Sequence, residues 1–143
     1  MLRDSRRFVT IDYVGEDTTD QDTAAATAQS YLDLLDGLAQ RAEPAGGPRQ
    51  LEVSLKLSAL GQALPRDGEK IAMENAHTIC TRARDVGAWV TVDAEDHTTT
   101  DSTLSIVRDL RSDFPSLGTV LQAYLKSTQG ACREFAASRA RLR

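Results

Sequence analysis

The 143-residue sequence predicts an α/β fold: four strand-helix units of a parallel β/α barrel, a half-barrel. A short β-branched run followed by an apolar pattern at helical spacing recurs four times, and strands alternating with helices imply a parallel sheet. Each run also places polar residues at alternate positions, which suits a barrel interior better than a face covered by helices. The count supplies the half, since a closed barrel of this type uses about eight strands and roughly 250 residues.

The runs are RFVTIDYV, LEVSLKLSAL, AWVTVDAE and TVLQAYL, centred on Ile11, Leu55, Val92 and Gln122. In the second, Val53, Leu55 and Leu57 point one way and Ser54, Lys56 and Ser58 the other, because strand side chains alternate faces. Val9 and Ile11 oppose Thr10 and Asp12, and Val90 and Val92 oppose Thr91 and Asp93. Val120 and Ala123 flank the polar Gln122, with Leu121 blurring that last alternation. In an open, doubly wound sheet, helices on the second face would bury Lys56, Asp93 and Gln122 unpaired, at several kcal/mol each. Inside a TIM-type barrel the same groups meet one another and a ligand near the carboxyl ends of the strands.

The helices follow in order. TAAATAQSYLDLLDGLA puts Ala28, Tyr31, Leu32, Leu35 and Leu38 on one face, and EPAGGPRQ then breaks the pattern as a loop. The second helix spans Gly68 to Val86, with Ile71, Ala72, Asn75, Ile79 and Ala83 on its buried side and Gly87 ending it. The third covers STLSIVRDLRSDF, capped by Thr100 or Asp101. The fourth starts near Thr128 and carries Cys132, Phe135, Ala136 and Leu142. GEDTTD, after the first strand, is an acidic helix start and not a phosphate cradle.

Composition narrows the classes. With 41% hydrophobic and 27% charged residues the chain reads as one soluble globular domain, 1–143. It has no transmembrane-length apolar run, and its start, MLRDSRRFVT, is too polar for a signal peptide, which predicts a cytoplasmic protein. A net charge of −4, with basic residues scattered apart from the terminal RARLR, argues against nucleic acid. Cys80 and Cys132, distant and without a companion histidine, read as buried free thiols. Four strands alone leave two edges and an uncovered polar face, which predicts a homo-oligomer or a complementary C-terminal half as partner.

VTIDYVGEDTTD, EVSLKLSALGQALPRDG, VTVDAEDHTTTDSTL and DFPSLGTVLQAYLKST resemble, in order, the first half of the barrel of bacterial FAD-dependent proline dehydrogenases. The resemblance covers Val9 to Cys132. It implies a distorted β/α barrel that binds FAD and oxidises L-proline to pyrroline-5-carboxylate in proline catabolism. It further implies that Lys56 meets the substrate carboxylate, that Asp93 lines the site and orients positive groups, that Ala94 lets backbone approach the flavin, and that Gln122 hydrogen-bonds the flavin ring. A lysine paired structurally with Asp93 is the plainer reading of Lys56.

Glu95, Asp96 and His97 belong to the loop beyond the third strand, and His77 is a surface or boundary residue. A metal site there lacks a second ligand cluster, so no metal is expected. The family's later strands bring an arginine and a lysine on the fifth strand, and its last helix an arginine pair; the chain is expected to stop short of both, and RARLR does not take the pair's role. Gly130 and Ala131 stand where the family often has an acidic residue, which weakens only the helix start. Two functions follow. One is a proline dehydrogenase-like flavoprotein with negligible turnover by this chain alone; the other is a non-catalytic half-barrel acting as an oligomeric interaction or regulatory module.

Overall fold

A computed structural model describes residues 9–15, 17–40 and 51–143. The EPAGGPRQ loop, the first two residues of RFVTIDYV and Glu16 of GEDTTD lie outside the described residues. The chain alternates β1 (Val9–Asp12), α1 (Gln21–Ala39), β2 (Leu51–Leu55), α2 (Gly68–Val86), β3 (Trp89–Val92), α3 (Thr100–Asp113), β4 (Gly118–Thr119) and α4 (Thr128–Ala137). All strand pairs are parallel and the order is β1-β2-β3-β4. A sequential order has no reversal point of the doubly wound kind; it is the arc of a β/α barrel.

Parity along the strands separates two environments. Val53, Leu55, Val90 and Val92 are buried in one core with Tyr31 and Leu35 of α1, Ile79 and Ala83 of α2, Val107 and Leu110 of α3, and Phe135 of α4. The four helices therefore share one face of the sheet. Leu32 is only partly buried at the rim of this core.

Local signals set the helix bounds. Asp20 caps α1 by accepting the Thr23 N–H at 2.8 Å, as an acidic helix start requires. Before α2 the chain makes a π-helical turn, Ser58–Gln62, and Gly68 enters so close to it that a Cβ would stand 2.6 Å from the Gln62 carbonyl oxygen. Gly87 ends α2 at φ 74°, and the Ala88 N–H closes back on the Ala83 carbonyl at 2.8 Å. The cap before α3 differs from the expected Thr100 or Asp101. Asp96 accepts the Thr98 N–H at 2.8 Å and caps a 3-10 turn, His97–Thr99, that runs directly into the helix.

The fourth unit departs furthest from expectation. β4 has two residues, extended by the Val120 N–H donating to Val92 at 2.9 Å, and the chain then turns through 122–128 instead of continuing as a strand. α4 buries only Phe135; Cys132 and Ala136 are exposed, so of the two thiols only Cys80 is buried. Arg108 of α3 holds α4 instead, donating to both Glu134 oxygens at 2.6 and 3.0 Å. Leu142 is not on α4: the helix ends before Arg139, at φ 53°, and Leu142 pairs in parallel with Thr119. Residues 141–143 thus lie where a fifth strand begins.

Candidate active site

The second face of the sheet is polar on β1, β2 and β3, with Gly118 of β4 beside Thr91, and its side chains meet in two groups. Near the amino ends, Glu52 of β2 accepts from the hydroxyl of Thr10 on β1 at 3.2 Å, from the hydroxyl of Thr91 on β3, and from Arg141 at 3.1 Å. Burial pushes the Glu52 carboxyl up, but the Thr91 hydrogen bond and the Arg141 charge outweigh it and hold the group below its ordinary value. The carboxylate is ionised and fully partnered.

Toward the carboxyl ends stand Asp12, Ser54, Lys56, Asp93 and Arg143. Lys56, the residue after β2, pairs with Asp12 of β1 at 3.6 Å. Asp93, the residue after β3, takes the guanidinium of Arg143, which also donates to the Ser54 hydroxyl at 3.2 Å. The plainer reading, Lys56 against Asp93, gives way to this arrangement: Lys56 pairs with the neighbouring β1, and Asp93 with the fifth-strand position beyond β4. Lys56 and Asp93 keep 20% and 19% of their side chains exposed, which leaves them reachable from the open face.

Ala94 and Gln122 sit together over the ends of β3 and β4, around a small cavity also lined by Glu95, Thr100 and Thr128. The Gln122 amide donates to the Glu95 carbonyl at 2.6 Å and accepts from the Thr100 hydroxyl at 3.1 Å, and the Thr128 hydroxyl donates to the Gln122 carbonyl at 2.5 Å. Gln122 is therefore held by the turn itself, with one amide proton committed. Glu95 reaches across to accept from the Ser58 N–H and hydroxyl at 3.1 and 2.6 Å, tying the loop after β3 to the turn after β2.

The acids of the third loop take separate partners. Asp93 faces Arg143, Glu95 faces Ser58, and Asp96 faces Thr98 and His97. His77 lies outside, exposed on α2, 3.3 Å from Asp113 and edge-on to Phe114.

Sequence reasoning missed Glu52, Arg141 and Arg143. Glu52 was legible by parity, being two positions before Ser54. The arginines were not, because three residues carry no periodicity, and the terminal RARLR reads as a helix end. The expectation that the chain stops before any fifth-strand arginine is corrected by Arg143, which projects from that position onto the site.

A parallel β/α arc whose interior gathers charged and amide groups at the carboxyl ends of its strands is part of a TIM-type barrel. The chain belongs to the proline dehydrogenase family, whose model matches residues 1–141. It is 33% identical over 124 residues to proline dehydrogenase 1 of Bacillus subtilis (strain 168), covering 87% of this chain and 38% of that one. It is 41% identical over 80 residues to the proline dehydrogenase of Deinococcus radiodurans, covering 54% of this chain and 26% of that one. The chain thus spans about a quarter to two-fifths of these relatives' length. Among solved structures, proline utilization A from Bdellovibrio bacteriovorus, inactivated by N-propargylglycine, superposes with a TM-score of 0.78 at 21% identity. That match covers 98% of this chain and 17% of that one, a likeness of fold.

Proposed function

We propose that the polar face is the flavin and substrate side of a proline dehydrogenase barrel, and that residues 1–143 form one domain, its N-terminal half. The observation that carries this is the gathering of Asp12, Lys56, Asp93 and Arg143, from the first, second, third and fifth strand positions, at the carboxyl ends. The donor set suits FAD in kind. Arg143 offers a guanidinium half exposed above Asp93, Gln122 has an amide proton beyond its bond to Glu95, and Ala94 offers half-buried backbone beside them. Exposed Tyr13, Val14 and Tyr124 follow the ends of β1 and β4 and add apolar surface for a flat ring.

Oxidation of L-proline to pyrroline-5-carboxylate removes a hydride from carbon and a proton from nitrogen, and FAD when bound supplies the hydride acceptor. Lys56 binds the substrate carboxylate, a point charge whose pairing with Asp12 aims it along the open face. Asp93 orients Arg143 and keeps its charge at the site. Gln122 and Ala94 fix the ring's edge. Turnover needs both ligands held in near-attack geometry, which four strands alone do not enclose, so barrel closure by a complementary half is part of the proposal.

Titrating FAD and then L-proline into the isotope-labelled chain tests it. Amide shifts are expected at Lys56, Asp93, Ala94, Gln122 and Arg143. Shifts confined to α1–α3, or none at saturating ligand, would sink the reading and favour the interaction module.

A further inference from the structure

We propose that Glu52 is a positioning residue: through Arg141 it fixes the register of residues 141–143 against β4, and that register carries the Arg143 guanidinium to Asp93. The proposal rests on the reading that Asp93 belongs to the site, but its test needs neither flavin nor proline.

The backbone does not choose this register. The segment is held to β4 by three main-chain bonds: Thr119 N–H to Arg141, Arg143 N–H to Thr119, and Leu121 N–H to Arg143, at 3.1, 3.1 and 3.0 Å. A parallel ladder remakes such bonds after a slip, whereas a one-residue slip turns every side chain to the other face. Such a slip would swing both arginines toward the helices and Leu142 into the polar interior. The side chains decide.

Arg141 is the more heavily tied of the two arginines. Its Nη2 faces Glu52 Oε1, the Val90 carbonyl and the Thr91 hydroxyl at 3.1, 3.0 and 3.1 Å, and its Nε donates to the Ser116 carbonyl at 3.3 Å. The guanidinium also lies 4.4 Å from the centre of the Trp89 ring. The slot it fills exists because residue 118 is glycine. A Cβ there would stand 2.8 Å from Thr91 Oγ1 and 3.1 Å from Arg141 Nη2. Glu52 supplies the negative charge in this group, and Thr10 and Thr91 hold that charge toward the slot. Arg143 contacts Ser54 and Asp93 and is half exposed, against 31% for Arg141. The anchor is therefore the lower pair, and the upper pair follows from it two residues along the same face.

Three probes read the anchor in the chain as it stands. Trp89 is the single tryptophan, so its emission reports Arg141 above its ring. Amide exchange at Thr119, Leu121 and Arg143 reports the ladder, and the Arg143 side-chain Nε–H resonance reports its contact with Asp93. In Glu52→Gln, these amides are expected to exchange about tenfold faster or more. The Trp89 emission should shift and the Arg143 resonance move to the position of free arginine, while Ile79 and Val107 amides keep their protection. Gly118→Ala, which fills the slot, should reproduce this. Asp93→Asn should release Arg143 yet leave the Trp89 emission and the Thr119 amide unchanged, a split that a merely structural role for Glu52 does not give. The proposal is overturned if Glu52→Gln leaves the ladder and the Arg143 resonance at wild type, if Asp93→Asn frees Arg141 as fully, or if Glu52→Gln also strips protection from Ile79 and Val107. Absent FAD and proline binding with this pattern intact would remove the site reading and leave the register device standing.

Discussion

Leu55 and Lys56 are neighbours in sequence and face opposite worlds. Leu55 is completely buried among helix side chains, where its contribution is area and shape, shared with Val53, Val92, Leu35 and Ile79. Lys56 stands on the polar face, where it pairs with Asp12. The same contrast holds along β3, where Val92 joins the core and Asp93 takes Arg143. In such a sheet stability and chemistry are segregated by parity: one face tolerates any side chain of the right volume, the other depends on the identity of each group. A functional change need then cost little stability.

The largest effect should come from the helix-covered face. Leu55→Ala is expected to cost about 2–5 kcal/mol, read from urea unfolding, because a fully buried leucine leaves a cavity that neighbouring strands cannot close. A loss below about 1 kcal/mol would mean that the two faces are not so distinct.

Tyr31 sharpens the contrast, since it is a core residue with a polar errand. Its hydroxyl donates to the Ser54 carbonyl at 2.6 Å and accepts from the Tyr13 N–H at 3.2 Å. Tyr31→Phe should cost about 1–2 kcal/mol, as removal of a buried hydrogen bond does. Burial also pushes its ionisation up from 10.0 to about 12. A folded value raised above the unfolded one means that this stability is fully present below pH 10.0 and is lost as pH rises through about 12. Burial raises the Cys80 thiol from 9.0 to about 12 in the same sense. Thermal melts across the alkaline range should therefore fall for both proteins, with a shallower slope in Tyr31→Phe; equal slopes would contradict the assignment.

The smallest effect belongs to neither face. Arg82 and Asp36 join α2 to α1 at 2.5 Å in an exposed pair, and Arg82→Ala should change unfolding by less than about 1 kcal/mol.

Much of this was legible in the sequence, and the reasons are physical. The bounds of α2 follow from nineteen residues of helical periodicity closed by Gly87, all local signals. The faces of β1, β2 and β3 follow from strict alternation. The fourth unit was harder, because TVLQAYL has strand composition but its ladder ends with the N–H groups of Val120 and Leu121, bonded to Val92 and Arg143, and the rest turns under the grip of Thr128 on Gln122. Leu142 lies seven residues after Phe135 and fits a helix on paper, yet the chain breaks at Arg139 without a glycine to announce it. Likewise, nothing local pairs Arg141 with Glu52, 89 positions earlier, or tells which strand supplies the partner of Lys56. Such contacts exist only once the sheet has curved.

One measurement bears most directly on the division between the faces: L-proline affinity in the presence of FAD, and unfolding free energy, determined on the same samples of Leu55→Ala and Lys56→Met. Leu55→Ala should lose about 2–5 kcal/mol of stability and, where folded, bind L-proline as the parent does. Lys56→Met should unfold within about 1 kcal/mol of the parent and bind L-proline about tenfold more weakly or worse. Parent-like proline affinity in Lys56→Met, or a stability loss there as large as in Leu55→Ala, would contradict the division.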